Sequence, residues 1–171
     1  MKALKTSFSI ILFTLIIFSS CTKEGKQGEP GVNGADGNAN VKSVGLTTST
    51  WYWDSSSSTR YYIWNGVSNL TYDIASYGSV HLYQLNTTGD GYYQLPITAP
   101  ISAGVVESDY YEYGQGTIAV YIQNSNLSDP IGQIPTPTTY KLVTISASAR
   151  LANPNVDYTN YNEVAKAFSL E

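Results

Sequence analysis

From residue 44 to residue 146 the chain meets a turn signal every eight to twelve residues, and the runs between signals alternate. That spacing leaves no room for a long helix and points to an antiparallel sandwich or barrel. Val44, Leu46, Thr48 and Thr50 alternate with their neighbours in a first strand. Residues 60–65 (RYYIWN) form a second run, closed by Asn65-Gly66, and 79–85 (SVHLYQL) a third, closed by Thr88-Gly89-Asp90-Gly91. Residues 92–98 read as a short fourth strand in which Pro96 marks an edge or a break. Runs 105–113 and 117–123 flank Gly114-Gln115-Gly116, a hairpin signal. Residues 139–146 (TYKLVTIS) give a last strand, and 70–77 a short helix ending at Gly78.

The tail departs from the strand period. Asn160 is placed to cap a helix, with Glu163 as a capping-box partner. Tyr161, Val164, Ala165 and Phe168 then share one face, which predicts an amphipathic helix over about 160–169. Phe168 is the only Phe beyond residue 18, which argues that this helix docks on the sheets. The expectation for 41–171 is therefore a mainly β domain, an antiparallel β-sandwich or partly open barrel with one C-terminal amphipathic helix.

The N-terminus sets the compartment. Met1 to Lys5 is cationic, and residues 8–18 (FSIILFTLIIF) are apolar. Eleven residues are too few to span a bilayer, which needs about twenty, but they fit the apolar region of a signal peptide over 1–20. Phe18-Ser19-Ser20-Cys21 follows, and it contains the only cysteine of the chain. It resembles a bacterial lipobox. The resemblance implies cleavage before Cys21, a diacylglycerol on its sulfur and a further acyl chain on its amine, an effectively permanent membrane anchor. Thr22 rather than Asp follows Cys21, so the familiar inner-membrane retention signal is absent. Gly25, Gly28, Gly31, Gly34 and Gly37 then recur at the collagen period. About four triplets with one proline fall short of what a triple helix needs, so 21–40 reads as a disordered hydrophilic tether. It reaches about 60 Å as polyproline II and about 25 Å as a Gly-rich coil.

The C-x-K start, the collagen-like run, the junction of residues 34–41 (GADGNANV) and the C-terminal A-R-x-x-N-P-x-V-D-Y (149–158) followed by a short helix resemble small Bacteroidetes-type cell-surface lipoproteins. The resemblance covers both ends of the chain and implies a lipid-anchored β-rich domain at the outer membrane, facing the cell surface.

Composition narrows the chemistry. Without the two lysines of residues 1–20, 7 basic residues face 13 acidic ones, a net charge of about −6. That opposes sequence-independent nucleic-acid binding, which needs clustered Lys and Arg. One Cys and one His exclude an internal disulfide and any metal site built on several His or Cys ligands. D-x-D-x-D-G calcium loops and a G-x-S-x-G nucleophile elbow are absent too, and Asp90 reads as turn chemistry. No cofactor is expected. His81 reads as a half-exposed strand residue, and 124–138, with Pro130, Pro135 and Pro137, as a long recognition loop.

Two constellations remain. Glu107, Asp109 and Glu112 match E-x-D-x-x-E, which resembles the catalytic strand of β-jelly-roll glycoside hydrolases. The resemblance implies Glu107 as nucleophile, Glu112 as acid/base and Asp109 as the tuning group. A regular strand, however, puts Glu112 on the opposite face, and only a β-bulge would bring it round. The other reading is an acidic solvent face. Trp51 and Trp53, with Tyr61, Tyr62 and Trp64, offer an aromatic platform for sugar rings; the other reading is that Trp51, Trp53 and Trp64 are the core of a domain poor in Phe. The sequence thus favours a non-catalytic, lipid-anchored module for adhesion, surface structure or ligand capture, its partner a glycan or a host or envelope surface. A carbohydrate-binding module is the alternative, and a hydrolase the remote one.

Overall fold

The computed structural model describes residues 40–130, 132, 134 and 137–170. The signal peptide, Cys21 and the glycine-periodic segment lie outside the described residues. The elements are β1 (Val41–Thr47), β2 (Tyr52–Asp54), β3 (Thr59–Asn65), α1 (Tyr72–Tyr77), β4 (Ser79–Leu85), β5 (Tyr92–Gln94), β6 (Ile97–Ser102), β7 (Val105–Gly114), β8 (Thr117–Asn124), β9 (Thr139–Ile145), α2 (Ala147–Ala152) and α3 (Tyr161–Phe168). They build a mainly β domain of two antiparallel sheets. One is ordered β1-β9-β4-β5 and the other β2-β3-β8-β7-β6.

Between the sheets lies the main core. Leu82 and Val80 of β4, Tyr140 and Leu142 of β9, and Ile118, Val120 and Ile122 of β8 are buried there with Trp51, Leu70 and Leu95. Alternate residues of the same strands point outward. On the four-stranded sheet the outward set, Val41, Tyr83, Val143 and Ile145, is also buried, beneath Ala149 of α2 and Tyr161, Val164 and Phe168 of α3. Both faces of β4 and β9 are therefore apolar. The expected docking of Phe168 is what the structure has, and burying such a side chain contributes roughly 1.5–3 kcal/mol. The described domain has three layers: helices, covered sheet, second sheet.

Five sequence expectations are corrected. Residues 92–98 are not one strand. The chain leaves the first sheet after β5 and enters the second at β6, with the Leu95–Pro96 bond cis at the switch. The first strand starts and ends earlier than its alternation implied. Thr48 lies beyond it, buried, with its Oγ1 accepting from Thr138 N at 3.0 Å. Helix α2 was not anticipated; Ser146 caps it, its Oγ accepting from Ala149 N at 3.2 Å. Gly78 does end α1, but not through a left-handed cap. Its φ is −84°, and a Cβ there would stand 2.6 Å from Ile145 O. Close packing of α1 against β9 is what demands glycine. Asn160 caps α3 by accepting from Asn162 N at 3.0 Å, one residue earlier than a capping box would.

Candidate functional site

The five aromatic candidates do not form one exposed platform. Trp51 is 4% exposed and part of the core. Tyr62 and Trp64 alternate inward on β3, their rings 4.8 Å apart, and Trp64 packs edge-on to Tyr140 at 5.6 Å. Trp64 Nε1 donates to Thr47 O at 3.2 Å. Trp53 is half-buried beneath the Arg60 guanidinium, which lies 5.4 Å from its ring and pairs with Asp129. Trp51 and Trp64 therefore belong to the core, Tyr62 packs with them, and Trp53 is not part of it. The serine loop after Trp53 is gathered by Asp54, whose carboxylate accepts from Ser56 N, Ser56 Oγ and Ser57 Oγ. Those bonds hold the Asp54 carboxyl down at about 2.

Tyr61 alone of the five joins an outward-facing row. Register sets Tyr52 opposite Tyr61, Tyr61 opposite Tyr121, and Tyr121 opposite Tyr110. Adjacent ring centroids are 5.8, 6.3 and 5.2 Å apart. The row crosses four strands on the outer face of the five-stranded sheet, the face opposite its core-facing Ile118, Val120 and Ile122. Tyr52, at its end, is 58% exposed, and Ile63 beside it 41%. Glu112 lies on this face too, and its charge, after burial, raises the Tyr121 phenol. Part of the row was legible. A tight turn at Gln115-Gly116 that pairs Gly114 with Thr117 also pairs Tyr110 with Tyr121.

The pairing of β7 with β8 runs unbroken from Glu107↔Asn124 to Gly114↔Thr117. No bulge turns Glu112 inward, so the structure does not bring Glu107 and Glu112 together. Glu107 and Asp109 face the other way, into the space between the sheets. There Gln84 of β4 and Tyr140 of β9 stand directly opposite each other in register and point inward from the first sheet. These residues gather at one end of the sandwich, where the inner layer changes from apolar to polar. A cleft of about 480 Å³ opens there, lined by Gln84, Asn86, Tyr93, Ile97, Glu107 and Asp109 among others. Asp109 is 5% exposed. Its Oδ1, Glu107 Oε2, Gln84 Oε1 and the Tyr140 hydroxyl are buried with no hydrogen-bond partner among the described residues. Burial, and then the charge of Glu107, push the Asp109 carboxyl up to about 7; burial also raises Glu107.

His81 is buried rather than half-exposed. Its Nε2 lies 2.7 Å from Ser79 Oγ, which has the look of a nucleophile and base. The bonding opposes that reading. Gln94 Nε2 donates to His81 Nδ1 at 2.8 Å, so the ring proton sits on Nε2 and points at the serine. Arg150 Nη1 also donates to Ser79 Oγ, at 2.8 Å, and stacks over Tyr158. The group is a polar latch that ties α2 and the following loop to the sheet. Among the described residues no three His, Cys, Asp or Glu side chains cluster together, and no helix is long and apolar enough to cross a membrane.

Comparison with protein-family models, curated proteins and solved structures gives no match.

Proposed function

We propose that this chain is a lipid-anchored cell-envelope protein of the outer membrane, acylated at Cys21, whose sandwich works without catalysis as an adhesive binding module. The glycine-periodic segment serves as spacer. The outer face of the five-stranded sheet is the contact surface, and a glycan is its partner.

One observation carries the reading. The first sheet is covered on both faces, whereas the second presents a row of four tyrosines in register on its outward face. Phenol rings with free edges and hydroxyls offer apolar contact and hydrogen bonding together, the combination a sugar requires. Cross-strand aromatic pairs also stabilise a sheet by about 0.2–1 kcal/mol each. Folding alone, though, does not ask that the row end on an aromatic as exposed as Tyr52.

The test is a Tyr52→Ser, Tyr61→Ser, Tyr121→Ser variant of the full chain against a panel of envelope and dietary glycans. Binding by the wild type that this variant loses, while it keeps its melting transition, supports the reading. A wild type that retains no glycan, or a variant that binds equally well, ends it. Palmitate labelling of the chain that persists in Cys21→Ala would end the anchor assignment.

A further inference from the structure

The acidic cleft is independent of the tyrosine face, and its composition is unusual for an inter-sheet layer. Positions filled by Leu, Val and Ile elsewhere are here Glu107 and Asp109 from β7, Gln84 from β4 and Tyr140 from β9. Natural sequences break the inside-apolar rule mainly at functional or strained sites. An orphaned buried polar atom costs about 1–3 kcal/mol, and four of them converge at this end. All four are oxygens, and with both carboxyls ionised three of them can only accept. The cleft lining holds no Lys, Arg or His to answer them. Tyr140, wholly buried and with its hydroxyl unpartnered, is close enough to Asp109 and Glu107 that both charges raise its phenol further, after burial.

We propose that this end of the sandwich binds a divalent cation, calcium, through Asp109, Glu107 and the Gln84 amide oxygen, with water completing the shell. Two carboxylates balance a divalent charge. Oxygen-only donors select a hard ion over zinc or copper. Calcium tolerates irregular coordination of six to eight oxygens, whereas magnesium demands a near-ideal octahedron. The orphaned oxygens are recessed from solvent, which suits a small ion better than an alkylammonium with its stem. Two ligands come from β7 and the third from β4, so no D-x-D-x-D-G spacing announces them. Only two carboxylates contribute, which places the dissociation constant in the range of about 10⁻⁴–10⁻³ M known for extracellular modules.

The test uses the full-length chain in detergent, stripped with chelator, at pH 8. Tb³⁺ is added and its emission is excited through the aromatic side chains, with Tyr140 nearest. We expect a saturable signal that Ca²⁺ displaces, and a saturable rise in melting temperature with Ca²⁺ alone. Glu107→Gln should weaken both at least about tenfold, since loss of even an outer partner of a metal ligand costs about that much. Asp109→Asn should abolish them. Glu112→Gln, on the opposite face, should match the wild type. No Tb³⁺ signal and no Ca²⁺ shift at about 10 mM, well above the weakest such sites, overturns the proposal. So does an equal loss in Glu112→Gln, which means adsorption to acidic surface. A melting shift with spermidine or butylamine but none with Ca²⁺ overturns it as well and makes the cleft an amine site. Should Asp109→Asn fail to fold, the contrast between Glu107→Gln and Glu112→Gln decides.

Discussion

Replacing Asp109 with Asn should stabilise the protein, by an amount that grows as pH rises from about 4 to about 7. The folded state raises this carboxyl from 3.8 to about 7, first by burial and then by the charge of Glu107. Between those values the folded chain holds a proton that the unfolded chain has released. The favourable contribution of Asp109 is therefore complete below about pH 4 and is lost as pH rises through about 7. Three pH units at about 1.4 kcal/mol each set a ceiling of roughly 4 kcal/mol. The group lines an open cleft, so solvent reduces this, and about 1–3 kcal/mol is the expected gain. At roughly 4 °C per kcal/mol for a domain of this size, Asp109→Asn should melt about 4–12 °C above the wild type at pH 8.5. At pH 5, little more than one unit above the unfolded value, the gain should have fallen to under half of this, and below about pH 4 the two should coincide. The assay is a pair of thermal or urea melts at each pH, in EDTA so that no divalent ion compensates the charge. Groups not coupled to Asp109 titrate alike in both proteins and cancel. A variant no more stable than the wild type at pH 8.5, or a gain of equal size at pH 5, would refute the reasoning.

His81 should shape the acid side of the profile. Burial, then the charge of Arg150, lowers it to about 4, so its contribution is intact above about pH 6.5 and is lost as pH falls toward 4. His81→Gln should flatten that arm by about 1–2 kcal/mol after allowance for solvent, read from urea midpoints at pH 7 and 4.5. Phe168→Ala should remove about 3–5 kcal/mol by emptying the site between α3 and the first sheet, and retention of the wild-type melting temperature would show that α3 does not dock. Gly78→Ala should lower stability by about 1–3 kcal/mol, because the new methyl would meet backbone oxygens of Ile145 and Ile74 at 2.6 and 2.9 Å. Gly45→Ala, with nothing within 4 Å, should be neutral or slightly stabilising in the same melts.

What could be read from the chain was what local rules govern. The strand over residues 79–85 appears with the bounds its alternation suggested, and the Gly114–Gly116 turn set the β7–β8 register. The buried face of α3 followed from helical spacing around Phe168. The assignment of strands to sheets was not legible, because nothing local says that β1 pairs with β9, about a hundred residues away. Nor could alternation tell which side of β3 was inside: Tyr61, Tyr62, Ile63 and Trp64 suit either face, and only packing against Ile118, Val120 and Tyr140 decides. The E-x-D-x-x-E pattern drew attention to the right strand for the wrong pair. Glu107 and Asp109 share their surroundings with Gln84 and Tyr140, which no spacing links to them.

The placement of β1 has a mechanical meaning. It is an edge strand, held along one side only by β9, from Val41↔Ile145 to Thr47↔Thr139. Anything that pulls on the chain ahead of Val41 loads this one ladder first. A pull across the strand opens the rungs one after another, like a zipper. A pull along it must shear all the rungs together. The force the domain withstands therefore depends on the direction of the load, and a flow that drags the domain along the axis of β1 is the one it resists best.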